Sequence, residues 1–498
     1  MIFLGLDVGS TGCKCVAFSE EGIQLALAYS EYKTMAGYAD MDARDMAKSV
    51  FDVIAECAQK IDSADVRAIA VTSFGESCVP IDRDGNPLAP FIMYTDKRGI
   101  AETDRLIDKL GYDNLMNITC QKPAQMYSLP KIMWTMENVP GVAENVWKFL
   151  QVSDYVCYLL SGEAKVSQTL ACRTMAYNVE KGVWDNDILA AAGIDASIMP
   201  EIVPCGSIVG DMTASAAEKL GLHTGVAVVN TSQDQIAAAI GAGVLDDGQA
   251  VDGTGSVECI TPVFSKIIRN RDFPDHNFVC VPHAVNGKYA TYAFNWAGGV
   301  LLKWFRDCFA SYLKPEAAAR GVSVYRMLDE MCPATPSDVI VVPHHMGAGG
   351  TPDMVADAKG TFAGMTMATT MPDIYRAVME GLTFEIRYNI EWLDKFGIEI
   401  NSLSATGGGA SSPIWLKLKA DILGRDITPV KGDQAGAAGC AMAAAVAVGK
   451  FKDLHEAAEV FVRHGETCHP DLTMKAFYDE KYERYKQIRN SVLHSWDK

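Results

Sequence analysis

"FLGLDVGSTGCKCVAFS", residues 3–19, decides how the chain begins to fold. Apolar residues run into Asp7, Gly9 to Gly12 supply a tight turn, and apolar positions resume at Cys13, the pattern of a β-hairpin. A Glu-Glu-Gly turn at 20–22 and "IQLALAYS", 23–30, add a third strand. Met46, Val50, Ile54, Cys57 and Ile61 then recur near helical spacing from about Asp42, and "VRAIAVT", 66–72, is a buried strand.

The cycle returns in the second half. "GQAVDGTGSVECITPV", 248–263, supplies strands around a glycine turn, and "DVIVVPH", 338–344, is a buried strand. "LSATGGGASSPIWLKLKADILG", 403–424, reads as strand, glycine loop and helix, with Ser411 or Ser412 as cap and Pro413 in the first turn. The fold class is therefore α/β, each half a mixed sheet with helices. With 498 residues the chain exceeds one core, and turns near 245–250 divide it into 1–246 and 247–498. The alanine-rich stretch 434–450 predicts a tightly packed helix, and the charged, aromatic stretch 470–498 a surface helix.

A net charge of -18 argues against nucleic-acid or anionic-membrane partners, which need a basic footprint. No apolar run reaches the roughly 18 residues of a membrane span, and Met1 runs straight into a strand without a signal peptide's pattern. Those features, with 14 scattered cysteines expected to be reduced, predict a cytoplasmic protein. Cys13 and Cys15 lack the neighbours of a four-ligand metal site, and His344 and His345, adjacent and so pointing apart on a strand, are expected to be ordinary loop residues.

The chemistry sits in two glycine-rich loops and one carboxylate. Asp234 lies in "NTSQDQIAAAIGAG", 230–243, and "DGTGS", 252–256, follows. Phosphoryl transfer needs backbone donors for phosphate oxygens and a base to orient the attacking hydroxyl. Ser10, Thr11 and Gly12 offer donors with little bulk, Lys14 a cation, and Asp7 a carboxylate for Mg²⁺ through water. The Thr254-Gly255-Ser256 turn offers a matching cradle.

Two signatures carry a resemblance. "MYSLPKIMW", 126–134, through Met126, Ser128, Lys131 and Trp134, and "GTFAGMTMATTMPDIYRAVME", 360–380, through Gly360, Phe362, Gly364, Asp373, Ala377 and Glu380, resemble those of the FGGY carbohydrate kinases of the actin–hexokinase–Hsp70 superfamily. Thr135 departs from the first signature, where that family usually has an apolar residue. The resemblance implies two ribonuclease-H-like domains with a central cleft, sugar held by the first and ATP with Mg²⁺ by the second. By position it makes Asp234 the catalytic base and a Mg²⁺ neighbour with Asp7, and Gln235 a substrate contact. Gly75 and Glu76 fall on the substrate pair, Arg-Glu in glycerol kinases and Met-His in xylulokinases; Tyr94 and Asp96 fall on its W-x-D-x-R segment. Thr254 and Gly255 match a phosphate loop, Gly299 a glycine beside adenine, and Gly407, Gly408 and Ser412 the adenosine loop. The expected activity is xylulokinase-like phosphorylation of a primary hydroxyl. The alternatives are another polyhydroxyl substrate (glycerol or another polyol, a hexulose, gluconate, autoinducer-2) or a non-catalytic nucleotide-dependent regulator. A homodimer is the default assembly.

Overall fold

The computed structural model describes residues 1–32, 39–432 and 434–496. The first sheet has six strands in the order Ser207–Asp211, Ala227–Gln233, Val66–Ser73, Ile2–Val8, Gly12–Ser19, Gln24–Glu31. The three strands that open the chain run antiparallel to one another in succession. Val66–Ser73 lies parallel to Ile2–Val8 on one side and to Ala227–Gln233 on the other.

Alternation decides what covers each face. Leu4, Leu6 and Val8 pack with Met46, Val50 and Ile54 of the helix Ala43–Ala58, whereas Phe3 and Val16 belong to the core that includes Ala437 and Ala441. Both faces are buried, which is why Ile2–Val8 reads as a continuous apolar run. Ile61 lies beyond that helix, which ends at Ala58, so the sequence pattern overran it by one turn.

The second sheet repeats the plan. Gly248–Thr254 pairs antiparallel with Glu258–Phe264 and parallel with Ile400–Thr406, which pairs parallel with Asp426–Pro429. The buried strand expected at 338–344 is Ile340–Val342, paired with Thr361–Ala363.

The helix Ala435–Ala447 crosses to the first sheet and lies against the helix Asp234–Gly241. Its small residues make that approach possible: a Cβ on Gly241 would sit 1.9 Å from the Ala435 carbonyl oxygen, and one on Gly439 2.0 Å from that of Ala237. On the sheet below, a Cβ on Gly5 would sit 2.0 Å from the Ala437 carbonyl. Backbone packs on backbone, and Asp234 is thereby fixed at the head of a clamped helix.

Two sequence expectations need correction. The helix Lys475–Leu493 is not a surface helix, because Tyr478, Tyr482, Tyr485 and Arg489 are buried along one side and Arg489 pairs with Glu385. His344 is not an ordinary loop residue: it is buried with Nε2 3.2 Å from Glu385 Oε1, in the same network. No described helix is long and apolar enough to cross a membrane.

Candidate functional site

The strand Ala227–Gln233 delivers its chain directly into the helix Asp234–Gly241, with Gln233 as N-cap and Asp234 as the first helical residue. Asp234 is half-buried, and its Oδ1 is covered without a hydrogen-bond partner. Burial, then the Asp7 and Glu76 carboxylates, push its pKa up to about 7, while the Gln235 amide and Lys14 pull it back. A carboxylate with a raised pKa and a free oxygen is suited to accept a proton near neutral pH. Asp7 comes from the end of the first strand, and its Oδ2 lies 3.2 Å from Lys14 Nζ. Ser10 and Thr11 are exposed on the intervening turn. Gln235 sits half-buried in the same first helical turn as Asp234.

Glu76 adopts φ 70° in the turn after Val66–Ser73. Such a conformation costs a non-glycine residue on the order of 1–3 kcal/mol and persists only where neighbours fix it. Here Ser128 Oγ donates to the Glu76 carbonyl at 2.7 Å, and Arg173 Nε and Nη2 converge on Glu76 Oε1 at 2.6 and 2.5 Å. Glu76 therefore offers only Oε2 to a ligand. Gly75 lies against Arg173 and Gln233. Tyr94 is half-buried, its ring 6.2 Å from that of Phe74, and burial, Glu76 and Asp234 all raise its pKa.

Asp96 is already engaged. Its Oδ1 accepts from Arg98 Nε at 2.6 Å, and Arg98 also pairs with Asp40. Lys131, buried, donates to the carbonyls of Asp96 and Arg98 at 3.0 and 3.2 Å, and Trp134 lies under the Arg98 guanidinium at 5.1 Å. The first signature thus acts as a fastener: Ser128 holds the Glu76 turn, and Lys131 and Trp134 hold the segment 96–98. The second signature is structural as well. Asp373 accepts from the Thr370 amide in a capping box, and Glu380 pairs with Arg376 and Lys481.

In the second half of the chain, Thr254 does not turn its hydroxyl outward. It bonds Asp252 Oδ1 at 3.0 Å, Glu258 Oε1 at 3.3 Å and Lys419 Nζ at 2.8 Å. Lys419 Nζ also lies 2.5 Å from both Asp252 Oδ2 and Glu258 Oε1, and all three charged groups are buried. Burial raises Glu258 to about 7, against the pull of Lys419. The Gly255 amide bonds the Val257 carbonyl, and its carbonyl accepts from the Gly299 amide, both at 2.9 Å. Two members of the triple glycine are packing residues: a Cβ on Gly407 would meet the Thr254 carbonyl at 2.5 Å, and one on Gly409 the Thr254 Cβ at 2.6 Å. Gly408 faces open space. Ser412 is the N-cap of Pro413–Leu423, accepting from the Trp415 amide at 3.2 Å, and its Oγ donates to Asp329.

Sequence reasoning missed Arg173, Asp252, Glu258 and Lys419, whose roles come from partners far along the chain. One signal was available for the helix pair. "DQIAAAIG", 234–241, and "DQAGAAGC", 433–440, repeat one small-residue pattern, and the two helices they head pack together.

The sequence matches the N-terminal domain of the FGGY family of carbohydrate kinases over residues 2–241 and its C-terminal domain over 261–448. The chain belongs to that family. This FGGY protein is a sugar kinase, using ATP to phosphorylate its substrate. It is 28% identical over 492 residues to a xylulose kinase of Bacillus subtilis (strain 168), covering 97% of this chain and 96% of that relative. Its fold superposes on a xylulose kinase structure from Rhodospirillum rubrum with a TM-score of 0.87 at 25% identity, covering all of both chains. A gluconate kinase from Lactobacillus acidophilus gives the same TM-score at 22% identity, over 99% of both chains.

Proposed function

We propose that this protein transfers the γ-phosphoryl group of ATP to the primary hydroxyl of a 2-ketopentose, with Asp234 as the base. The observation that carries the mechanism is the unpartnered Asp234 Oδ1 on a residue whose pKa is pushed up to about 7. As the substrate hydroxyl attacks phosphorus, its proton passes to Asp234 Oδ1 and the bond to the ADP oxygen breaks. Little covalent work is asked of the protein, so positioning and charge dominate. Gly75, Glu76, Tyr94 and Gln235 line the sugar side. The Ser10–Gly12 turn presents backbone to phosphates, the Thr254–Gly255 loop shapes the place beside them, and the open face of Gly408, in the loop that Ser412 ends, receives the nucleoside.

Asp7 and Asp234 fit a hydrated Mg²⁺, because the Asp7 carboxylate raises the cost of charge on Asp234 and Lys14, beside Asp7, offsets it in part. When bound, that ion neutralises charge on the phosphates. The ketopentose assignment is supported by the xylulose kinases among its relatives, although Glu76 stands where a typical xylulokinase has His.

The test is a phosphorylation screen over pentuloses, hexuloses, polyols and aldonates, read as ADP release. A pentulose should give the highest kcat/KM. Preference for an aldonate or a polyol would reject the substrate assignment, and no turnover with any of them would reject the kinase mechanism.

A further inference from the structure

The floor of the sugar side is built by a residue from outside both signatures. Arg173 follows the short helix Gln168–Cys172, which is tied to the catalytic strand where the Gln233 amide bonds Thr169 Oγ1 at 3.3 Å. Its guanidinium lies 5.1 Å from the Tyr127 ring centre and 5.6 Å from that of Tyr292, so aromatic faces flank it from both halves of the chain. Two of its nitrogens are spent on Glu76 Oε1. The third, Nη1, is buried and has no partner.

Nη1 is not alone. Gln233 Oε1, Asp234 Oδ1 and the Tyr292 hydroxyl are also buried without partners, and the charges of both Glu76 and Asp234 are felt at Tyr292 and at Tyr94. An unmet buried donor or acceptor is costly, so this convergence marks groups that a ligand completes. Gly75 explains how Arg173 gets there. A Cβ at position 75 would lie 3.3 Å from Arg173 Cγ and 3.5 Å from Gln233 Cγ, tighter than or at the edge of ordinary contact. A side chain at 75 would crowd Arg173 and press it a few tenths of an ångström aside.

We propose that Arg173 is a specificity-determining residue whose Nη1 donates to the carbonyl oxygen of the sugar, making the enzyme prefer ketoses to the corresponding alditols. This rests on the ketopentose reading above. A guanidinium only donates, so Nη1 needs an acceptor oxygen, and a carbonyl supplies one without adding a donor that must itself be satisfied in a buried place. The Glu76 carboxylate already neutralises the guanidinium, so the remaining donor suits a neutral carbonyl better than a second carboxylate. A hydroxyl at the same place would bring a proton of its own between two aromatic rings, and that proton would compete for the acceptors, Glu76 Oε2, Gln233 Oε1 and Asp234 Oδ1, that the rest of the ligand needs.

The experiment compares kcat/KM for D-xylulose, xylitol and D-xylonate in wild type, Arg173→Lys, Arg173→Met and Gly75→Ala, with a thermal melt of each. Arg173→Lys should lose roughly 10- to 100-fold in kcat/KM for D-xylulose, mainly through KM, the range for one charge-assisted hydrogen bond. The value for xylitol should fall less, because both substrates lose the support that Arg173 gives Glu76 and only the ketose also loses the Nη1 bond, so the ketose-to-alditol ratio narrows while KM for ATP stays within about twofold. Gly75→Ala keeps every polar group and should move the ratio the same way by displacing Arg173, which keeps the proposal testable if Arg173→Met does not fold. Equal losses on ketose and alditol in folded variants would overturn it, making Arg173 only a support for Glu76. A wild type that prefers D-xylonate would also overturn it. Wild-type inactivity on all three sugars would instead bring down the ketopentose reading, and this inference with it.

Discussion

Replacing Lys419 by Met should destabilise the protein and weaken ATP binding while sparing the sugar. Lys419 Nζ is the single cation paired with Asp252 and Glu258 among the described residues, 2.5 Å from each, and neither carboxylate is exposed at all. Removing one partner of a buried ionic group leaves uncompensated charge and costs roughly 3–5 kcal/mol. At about 2–4 °C per kcal/mol for a domain of some 250 residues, the melting temperature should fall by roughly 6–20 °C.

The loss should depend on pH. Burial raises the Glu258 pKa and Lys419 lowers it, so removing Lys419 raises it further. A carboxyl with a raised folded pKa favours folding below its unfolded value of about 4.3 and loses that contribution as pH rises through the folded pKa. The variant should therefore be closer to wild type at pH 6, where Glu258 holds its proton, than at pH 8. Thr254 loses the donor to its hydroxyl, and Gly407 and Gly409 rest on Thr254, so KM for ATP should rise more than KM for the sugar. Melting curves at pH 6 and 8, with both Michaelis constants, test this. An unchanged melting temperature at pH 8, or a defect confined to the sugar, would refute the view that this cluster supports the nucleotide loop.

Asp234→Asn keeps the shape and loses the base, so kcat should drop about 10²-fold or more while calorimetry still detects sugar binding; near-normal turnover removes Asp234 from the role. In wild type, kcat/KM should rise about tenfold between pH 6 and 8, because a base with a pKa of about 7 is active only when deprotonated, and a flat profile would contradict that. Gly408→Val fills the open face of the triple glycine and should weaken ADP binding by calorimetry without altering sugar affinity; unchanged ADP affinity makes the triplet a turn alone. Gly241→Val places a Cβ 1.9 Å from the Ala435 carbonyl and should cost about 1–3 kcal/mol or more, visible as a lower melting temperature. Full stability there would mean the two helices do not pack as closely as described.

The sequence alone determined what depends on neighbours in the chain. The opening hairpin, the Ser412–Pro413 helix start, the glycine turns and the two family signatures are local patterns, and they carried the α/β class and the kinase family. Asp234 was legible for the same reason, standing alone in a run of small residues between an apolar strand and a glycine-rich loop. Tertiary structure decided everything that depends on what a side chain meets across the fold. Glu76 became half of an ion pair because Arg173, 97 residues later, is folded onto it. Asp96 became the partner of Arg98, and Thr254 turned inward because Lys419, 165 residues away, reaches its hydroxyl. The 475–493 helix looked like surface because its charges are plentiful, yet Arg489 and Tyr485 meet the buried Glu385, and Tyr478 meets Arg376. Periodicity records which residues prefer to leave water. It does not record which buried charge another one will neutralise, since that partner is set by long-range packing and not by sequence spacing.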